Sequence, residues 1–233
     1  MKGWERLGFT LMFLLLVISA HAQGTFQNLG FESGTLVPIP GDPNDRFYFS
    51  DAFPGWTGYA GTTPITGILY DNETVTSANI SLVGKNGPFI GNVIAGQYTA
   101  LLQAGGSFGS FVDTSIAQVG LVPADAQMLL VKAAGVNLSA SFAGQGIPLV
   151  PIGSGANYTL FAGDISGFSG QIGELRLSSL STPGSPVNSV FVDSLAFTAV
   201  PEPRILCVEV LGGFLLGIWI CRTRKKSASY AKI

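Results

Sequence analysis

The chain has 233 residues, of which 11% are charged and 47% hydrophobic, and it contains 31 glycines. Soluble domains average about 25% charged residues and ~7% glycine, so the composition predicts membrane segments, a glycine-rich β-fold, or both. Between residues 23 and 203, four basic residues oppose 12 acidic ones, which leaves a net charge of −8. Such a surface does not attract phosphate backbones, so we expect no nucleic-acid partner.

The N-terminus has the features of a secretory signal peptide over residues 1–22. Lys2 and Arg6 precede a mostly apolar stretch at 7–20, and Ala20-His21-Ala22 is a small-x-small cleavage site. The apolar stretch is shorter than the ~20 residues of a bilayer span. We therefore expect export with Gln23 as the mature N-terminus; an uncleaved anchor is the alternative.

Residues 23–199 carry short apolar or alternating runs separated by Gly, Pro, Asn and Ser. This spacing predicts an all-β fold, a single jelly-roll or β-sandwich ectodomain. Residues 105–109 and 182–186 are predicted loops. The predicted strands are 26–31, 47–49, 65–70, 80–83, 98–103, 115–121, 127–133, 136–142, 158–162, 173–180 and 190–198.

The predicted ectodomain lacks the side chains of several kinds of site. The single histidine, His21, belongs to the predicted signal peptide, and Cys207 and Cys221 lie near the C-terminus. This excludes Ser-His-Asp and Cys-His catalysis, zinc sites built on His or Cys, and disulfides within 23–199. Carboxylates, hydroxyls, amides and aromatics remain, and they suit calcium, sugar hydroxyls or a carboxylate-pair glycosidase.

Two groups of side chains are candidates for binding. Trp56 and Tyr59, with Tyr48 and Phe53, would form a platform on which a sugar ring stacks. The alternative is that Trp56 belongs to the core, where aromatic rings are common.

Asp42, Asp45 and Asp51 cluster in the segment 38–54, which also contains several Gly and Pro residues. They would bind a cation, or they are a solvated acidic loop.

The C-terminus carries a second apolar run at 205–221, interrupted by Glu209. Its 17 residues span about 25 Å as a helix, just enough for a thin bilayer. A basic cluster follows at Arg222, Arg224, Lys225 and Lys226. Positive charge marks the cytoplasmic flank, so we predict a transmembrane helix at 205–221, stopped by this cluster, and a cytoplasmic tail at 222–233. A buried helix of a soluble fold is the alternative.

The motif Val200-Pro201-Glu202-Pro203 precedes that run, and its two prolines favour an extended, exposed segment. Together with the glycine-containing apolar run and the basic cluster, it resembles the bacterial PEP-CTERM sorting signal over 200–226. The resemblance implies recognition by an exosortase, a membrane protease that passes proteins to the cell surface. It also implies an association with exopolysaccharide production.

Two motifs near the ends of the ectodomain, Asn28-Leu29-Gly30-Phe31-Glu32 and Phe191-Val192-Asp193-Ser194-Leu195, resemble galactose-binding-like jelly rolls, a family that includes many carbohydrate-binding modules. The resemblance implies that the first and last strands are neighbours and that Glu32 and Asp193 are ligands of a structural calcium ion. Asp193 shares the parity of Leu195 and Phe197, which predicts that it points toward the apolar face. A buried carboxylate needs a cation or several hydrogen bonds, and backbone N–H groups are the alternative partners.

These observations favour an exported, non-enzymatic β-sandwich protein of the cell envelope or extracellular matrix, with a structural or adhesive role. The alternative is a carbohydrate-binding module that recognises matrix polysaccharide. A third hypothesis, a glycoside hydrolase, needs two acids about 5–10 Å apart in a cleft, and no spacing in the sequence identifies such a pair.

Overall fold

A computed structural model describes residues 25–88, 92–107, 110–182 and 187–199. The predicted signal peptide, the motif Val200-Pro201-Glu202-Pro203, the apolar run 205–221 and the tail 222–233 with Arg222, Arg224, Lys225 and Lys226 lie outside the described residues. Within the described ranges, no helix is both long and apolar enough to cross a membrane.

The regular secondary structure of the described residues is almost entirely β-strand, with one short helix, α1 (Phe49–Ala52), and a 3₁₀ turn at Ser166–Phe168. The strands are β1 (Phe47–Tyr48), β2 (Thr57–Ala60), β3 (Thr63–Ile65), β4 (Gly67–Tyr70), β5 (Asn79–Gly84), β6 (Tyr98–Ser107), β7 (Ser110–Val112), β8 (Thr114–Leu121), β9 (Met128–Gly135), β10 (Leu138–Phe142), β11 (Gln145–Ile147), β12 (Val150–Ser154), β13 (Thr159–Asp164), β14 (Ile172–Ser179) and β15 (Val187–Thr198).

Two sheets share one hydrophobic core, which confirms the predicted β-sandwich. In the described part of the chain one sheet has nine strands, in the order β1-β4-β5-β6-β15-β9-β13-β12 with β7 also paired to β6. The other has six, in the order β11-β10-β14-β8-β2-β3. Neighbouring strands are antiparallel except β4 and β5, which run parallel. The last strand of the fold, β15, therefore lies in the middle of the larger sheet, between β6 and β9.

Alternating side chains build the core from both sheets. In β14, Leu175 and Leu177 are fully buried, whereas the alternate residues Glu174 and Arg176 face the other side of the sheet. Burying each leucine stabilises the fold by roughly 1.5–3 kcal/mol. The period of two that predicted this strand is thus the period at which its side chains enter the core.

A β-bulge in β15 changes which of its side chains face the core. Val192 faces Ala133 in the core, Asp193 pairs with Lys132, and the register then shifts by one residue before Ala196. Ser194, with φ of 48°, is the extra residue. Asp193 is therefore on the outer side of the sheet. The prediction that it points toward the apolar face is wrong, because the parity argument assumed an unbroken strand.

The segment 26–31 is not a strand, which corrects another prediction. Asn28 and Phe31 have φ values of 50° and 59°, outside the extended region that a strand needs. The segment is nevertheless core: Phe26, Leu29 and Phe31 are at most 3% exposed. Phe26 stacks on Phe197 of β15 at 5.2 Å between ring centroids, and the Leu29 carbonyl accepts a hydrogen bond from the Leu195 N–H at 2.9 Å.

Other predicted elements also differ at their boundaries. The predicted strand 65–70 is divided at Thr66, so that β3 joins the smaller sheet and β4 the larger. The Thr66 carbonyl instead accepts a hydrogen bond from the N–H of Phe49, where α1 begins. Residues 105–107, predicted as a loop, continue β6. The patterns of β2, β7, β11 and β12 were too short or too polar to be predicted as strands.

Candidate functional site

Trp56 lies in the core and presents no face to a sugar. It is 5% exposed, its ring centroid is 5.8 Å from that of Phe31, and its Nε1 donates a hydrogen bond to the Asn28 carbonyl at 3.2 Å. Phe53 is also fully buried. The prediction that Trp56 and Phe53 form a stacking platform is therefore wrong. The structure places Trp56 in the core, which is the alternative stated above.

Tyr59 occupies a different environment, on the outer face of the six-stranded sheet. The guanidinium of Arg176 lies over its ring, with Cζ 4.4 Å from the ring centroid. Arg176 also donates from Nη1 to Ser115 Oγ at 2.7 Å and from Nε to Glu174 Oε1 at 2.9 Å. Because β2, β8 and β14 are adjacent, three strands deliver these side chains to one patch. The sequence predicted Tyr59 as a candidate but not Arg176, because the neighbours of Arg176 across the sheet are distant in sequence.

A shallow cavity of about 410 Å³ adjoins this patch. Arg176, Ser115 and Ser178 line one side of it, and Asp113 and Ser181 line another. Asp113 Oδ1 accepts hydrogen bonds from the N–H and the hydroxyl of Ser181, at 2.7 and 2.9 Å. Phe111 and Val112 also line the cavity, so it combines hydroxyls and paired charged groups with an apolar part.

The opposite end of the same sheet face is apolar. Val119 of β8 and Ile172 of β14 are 67% and 75% exposed. Ile172 of β14 pairs with Leu121 of β8, which lies two residues after Val119 on the same face of the sheet. Val119 and Ile172 are therefore neighbours on this face. The outer face of the smaller sheet therefore combines a polar patch with an exposed apolar one.

Glu32 and Asp193, the predicted calcium ligands, hold the same loop, residues 92–98. Glu32 accepts hydrogen bonds from the backbone N–H of Gln97, at 3.0 Å to each oxygen, and of Tyr98 at 3.2 Å. Asp193 Oδ2 accepts from the N–H of Ala95 at 3.0 Å and from Thr99 Oγ1 at 2.8 Å. The structure thus brings the two predicted residues together, on a shared loop.

The groups that face these carboxylates are hydrogen-bond donors. Asp193 Oδ1 accepts from Ser194 Oγ at 3.2 Å, so all four carboxylate oxygens of the pair are engaged. Asn28 lies four residues before Glu32, and its Nδ2 is buried without a partner among the described residues. An amide nitrogen is a hydrogen-bond donor and does not bind a cation. Calcium takes six to eight oxygen ligands. The arrangement fits the alternative of backbone N–H partners better, and calcium binding stays a prediction.

Burial decides the ionisation of Asp193, which is 1% exposed. Its desolvation raises the pKa of the carboxyl, while hydrogen bonds from Thr99, Ala95 and Ser194 oppose that rise. The pKa is raised overall, so the loss of hydration outweighs the stabilisation of the carboxylate by these hydrogen bonds.

The acidic cluster at 42–51 does not converge on one point. Asp42 makes a two-pronged ion pair with Arg46, with Nη2 2.6 Å from Oδ2, and this contact lowers the pKa of Asp42 to about 2. Asp45 lies in the adjoining turn, whereas Asp51 belongs to α1. Across the described residues, no group of three or more His, Cys, Asp or Glu side chains is placed to hold a metal ion.

No family model matches the chain, and no curated protein matches it in sequence. Among solved structures, it is similar to the apo form of a cyclase from Fischerella sp., with 20% identity, a TM-score of 0.44, and 78% of this chain and 97% of that one covered. TmCBM61 in complex with β-1,4-galactotriose has 13% identity and a TM-score of 0.39, over 76% and 99% of the two chains.

The family 11 carbohydrate-binding module from Clostridium thermocellum, in complex with a β-1,3-1,4-mixed-linked tetrasaccharide, has 12% identity and a TM-score of 0.36, over 64% and 91%. At these identities and TM-scores, the similarities assign neither a ligand nor an activity to this chain.

Proposed function

We propose that the chain is an exported β-sandwich protein of the cell envelope or exopolysaccharide matrix, with a structural or adhesive role and no catalytic activity. The order of the sequence signals supports this proposal: a predicted signal peptide at 1–22 precedes the β-sandwich, and a PEP-CTERM-like segment at 200–226 follows it. In this proposal the partners are an exosortase-type membrane protease and the membrane that holds residues 205–221.

The observation that carries the non-catalytic role is the use of the carboxylates. Of the eleven acidic side chains among the described residues, seven accept hydrogen bonds from turns, loops or neighbouring side chains. These are Glu32, Asp42, Asp71, Asp113, Asp164, Glu174 and Asp193. A glycosidase instead needs two acids directed at a substrate, one to protonate the leaving group and one to act as base or nucleophile.

The sorting part of the proposal is tested at the motif 200–203. Replacing Pro201, Glu202 and Pro203 by alanine should leave the full-length precursor in the membrane. Intact-mass measurement of the surface form should show loss of the C-terminal segment only in the wild type, with Pro151→Ala, an exposed proline of β12, as the control. If the wild-type surface form keeps its C-terminal segment, residues 205–221 are a permanent anchor and the sorting proposal fails.

The non-catalytic part is tested by incubation of the purified protein with polysaccharide, ester and peptide panels. We expect no hydrolysis, because residues 23–199 contain no histidine or cysteine and most of the described acids already accept hydrogen bonds. Turnover that disappears when one Asp or Glu is changed to its amide would establish a hydrolase instead.

A second candidate function, carbohydrate binding, is favoured by the polar patch at Tyr59. An aromatic ring offers a surface for the C–H face of a sugar, and guanidinium and serine hydroxyls offer hydrogen bonds to its hydroxyls. Tyr59→Ala should then abolish retardation of the protein in native gels that contain a neutral polysaccharide. Tyr48→Ala removes a 39% exposed tyrosine from the other sheet and should leave retardation unchanged. Equal retardation of all three proteins would exclude Tyr59 from binding.

A further inference from the structure

A second cleft lies on the nine-stranded sheet, away from the Tyr59 patch. Its volume is about 510 Å³, within the range of small-molecule pockets, roughly 300–1,000 Å³. One wall is the turn 44–46, the other is the loop 72–78, and Leu69 and Asn79 lie between them. The lining is mostly amide, hydroxyl and carboxylate, and Leu69 is its one large apolar side chain.

The loop wall is held in place from beneath by one buried side chain. Gln103, fully buried in β6, accepts a hydrogen bond from the Thr74 N–H at 2.9 Å and donates one to the Thr74 carbonyl at 3.2 Å. The backbone of Gly106 adds two more bonds, to Thr76 and Ala78. The loop therefore has a defined shape before any ligand arrives, which reduces the entropy cost of binding.

The turn wall is held by Asp42. Its Oδ1 accepts hydrogen bonds from the Asn44 N–H at 2.9 Å and from the Arg46 Nε at 3.1 Å. The charges of Asp42 and Arg46 are thereby paired with each other. The side chains of Asn44 and Asp45 remain available at the rim of the cleft.

Several polar groups that line the cleft have no partner among the described residues. The carboxylates of Asp45 and Glu73 accept no hydrogen bond there. Asn79 is about nine-tenths buried, and its Nδ2 donates to Ser81 Oγ at 3.0 Å. Its Oδ1 has no donor within the described part of the chain. Among the described residues, the side-chain atom that is enclosed without a partner is Asn28 Nδ2, so Asn79 Oδ1 is an accessible acceptor at the floor of the cleft.

The chemistry of the lining selects among ligand classes. The two unpaired carboxylates repel phosphates and uronic acids, and they are too few for a calcium site. The scarcity of apolar side chains disfavours lipids and hydrophobic peptides. A neutral sugar meets the requirements, because its hydroxyls donate to carboxylate and amide oxygens and accept from amide N–H groups.

We propose that this cleft binds a neutral pyranose unit of a polysaccharide, with Asp45, Glu73 and Asn79 accepting hydrogen bonds from its hydroxyls and Asn44 and Asn72 completing the contacts. The inference goes beyond the proposed function and uses none of the residues of the Tyr59 patch. It leaves the non-catalytic role in place because Asp45 and Glu73 are both exposed, so neither is a buried acid of the kind that a glycosidase uses to protonate a leaving group. Its failure leaves export, sorting and the Tyr59 patch unaffected.

Retardation of the purified protein in native gels that contain dextran, galactan, mannan or xylan tests the proposal. With one of these neutral probes, Asp45→Asn combined with Glu73→Gln should weaken binding by about tenfold or more, since two charged acceptors are lost. Asp125→Asn, an exposed acid distant in sequence from the cleft, removes a similar charge and is the control. Unchanged thermal unfolding of each variant separates loss of binding from loss of fold.

The outcomes are distinct. Binding that persists in the Asp45 and Glu73 double variant but disappears in Tyr59→Ala overturns the cleft and supports the Tyr59 patch. Binding that is lost on raising the salt concentration, or that is stronger for a cationic amino sugar polymer, also overturns it, because neutral hydrogen bonding is little screened. Absence of binding to all four neutral polysaccharides overturns it as well.

Discussion

The outer faces of the two sheets differ near their centres: loops cover β6 of the nine-stranded sheet, whereas side chains of β8 and β14 on the six-stranded sheet are exposed. Along β6, Ala100 and Leu102 face the core, so Thr99, Leu101 and Gln103 face outward, yet all three are fully buried. The loops 72–78 and 92–98 lie over them. On the smaller sheet, the outward side chains Val119 and Ile172 are mostly exposed.

This difference decides what polar side chains do on each face. Under the loops, Thr99, Gln103 and Asp193 each make hydrogen bonds that fix the covering chain, because a buried polar group without a partner is expensive. On the open sheet, Tyr59 and Arg176 contact each other and remain partly accessible. Polar residues beneath the two loops therefore serve the fold, whereas those on the open face and those that line the cleft between 44–46 and 72–78 remain available to a ligand.

Among the substitutions that test this comparison, the largest effect is expected for Gln103. Gln103→Ala removes both hydrogen bonds to Thr74 and leaves a space beneath the loop, so the free energy of unfolding should fall by about 2–3 kcal/mol. Val119→Ala on the open face should change it by less than about 0.5 kcal/mol. Urea unfolding of the two variants measures the comparison, and equal losses would show that the two faces do not differ as described.

Asp193→Asn tests the second covering loop. The amide oxygen can replace Oδ2 and accept from both the Ala95 N–H and the Thr99 hydroxyl, whereas Nδ2 replaces Oδ1 beside Ser194 Oγ. Because burial raises the pKa of Asp193, removal of the buried charge offsets the weaker hydrogen bonds, so the free energy of unfolding should change by less than about 1 kcal/mol at neutral pH. A chelator should leave the melting temperature of the wild type unchanged if hydrogen bonds alone hold this loop. A lower melting temperature with chelator, restored by added Ca²⁺, would instead establish the calcium site predicted from Glu32 and Asp193.

The smallest effect is a dependence on pH. Because burial raises the pKa of Asp193, the folded protein binds this proton more tightly than the unfolded chain. Stability should therefore decrease as the pH rises from the unfolded carboxyl value of ~3.9 through the raised folded value. The difference in unfolding free energy between wild type and Asp193→Asn, measured across this range, should follow that slope. A pH-independent difference would mean that the folded carboxyl titrates normally.

Sequence alone predicted the parts of the fold in which local pattern and final environment agree. The strand 173–180 alternates strictly, and β14 occupies nearly the same residues. The segment 26–31 was predicted as a strand from its composition, but its shape depends on the residues that it packs against, such as Phe197 and Leu195. The bulge at Ser194 also depends on tertiary contacts, and it reversed the expected direction of Asp193.

The candidate sites likewise combine features that a local pattern predicts with features that depend on tertiary contacts. Glu32 and Asp193 both contact one loop, but their partners there are backbone N–H groups of Ala95, Gln97 and Tyr98, which no local pattern encodes. Trp56 and Tyr59 are three residues apart and equally aromatic, yet Trp56 lies in the core and Tyr59 lies outside. The second cleft lies between the turn 44–46 and the loop 72–78, which are distant in sequence, so no local pattern predicts it.

The central position of β15 determines when the β-sandwich can be completed. In the order of synthesis β15 is the last strand, yet β6 and β9 both pair with it in the larger sheet. Until it emerges, both strands present unpaired edges, which are prone to pair with other chains. Folding must therefore await the arrival of residues 187–198, and contacts between distant parts of the chain make it slow. Association with other chains through these edges therefore competes with folding until residues 187–198 are available.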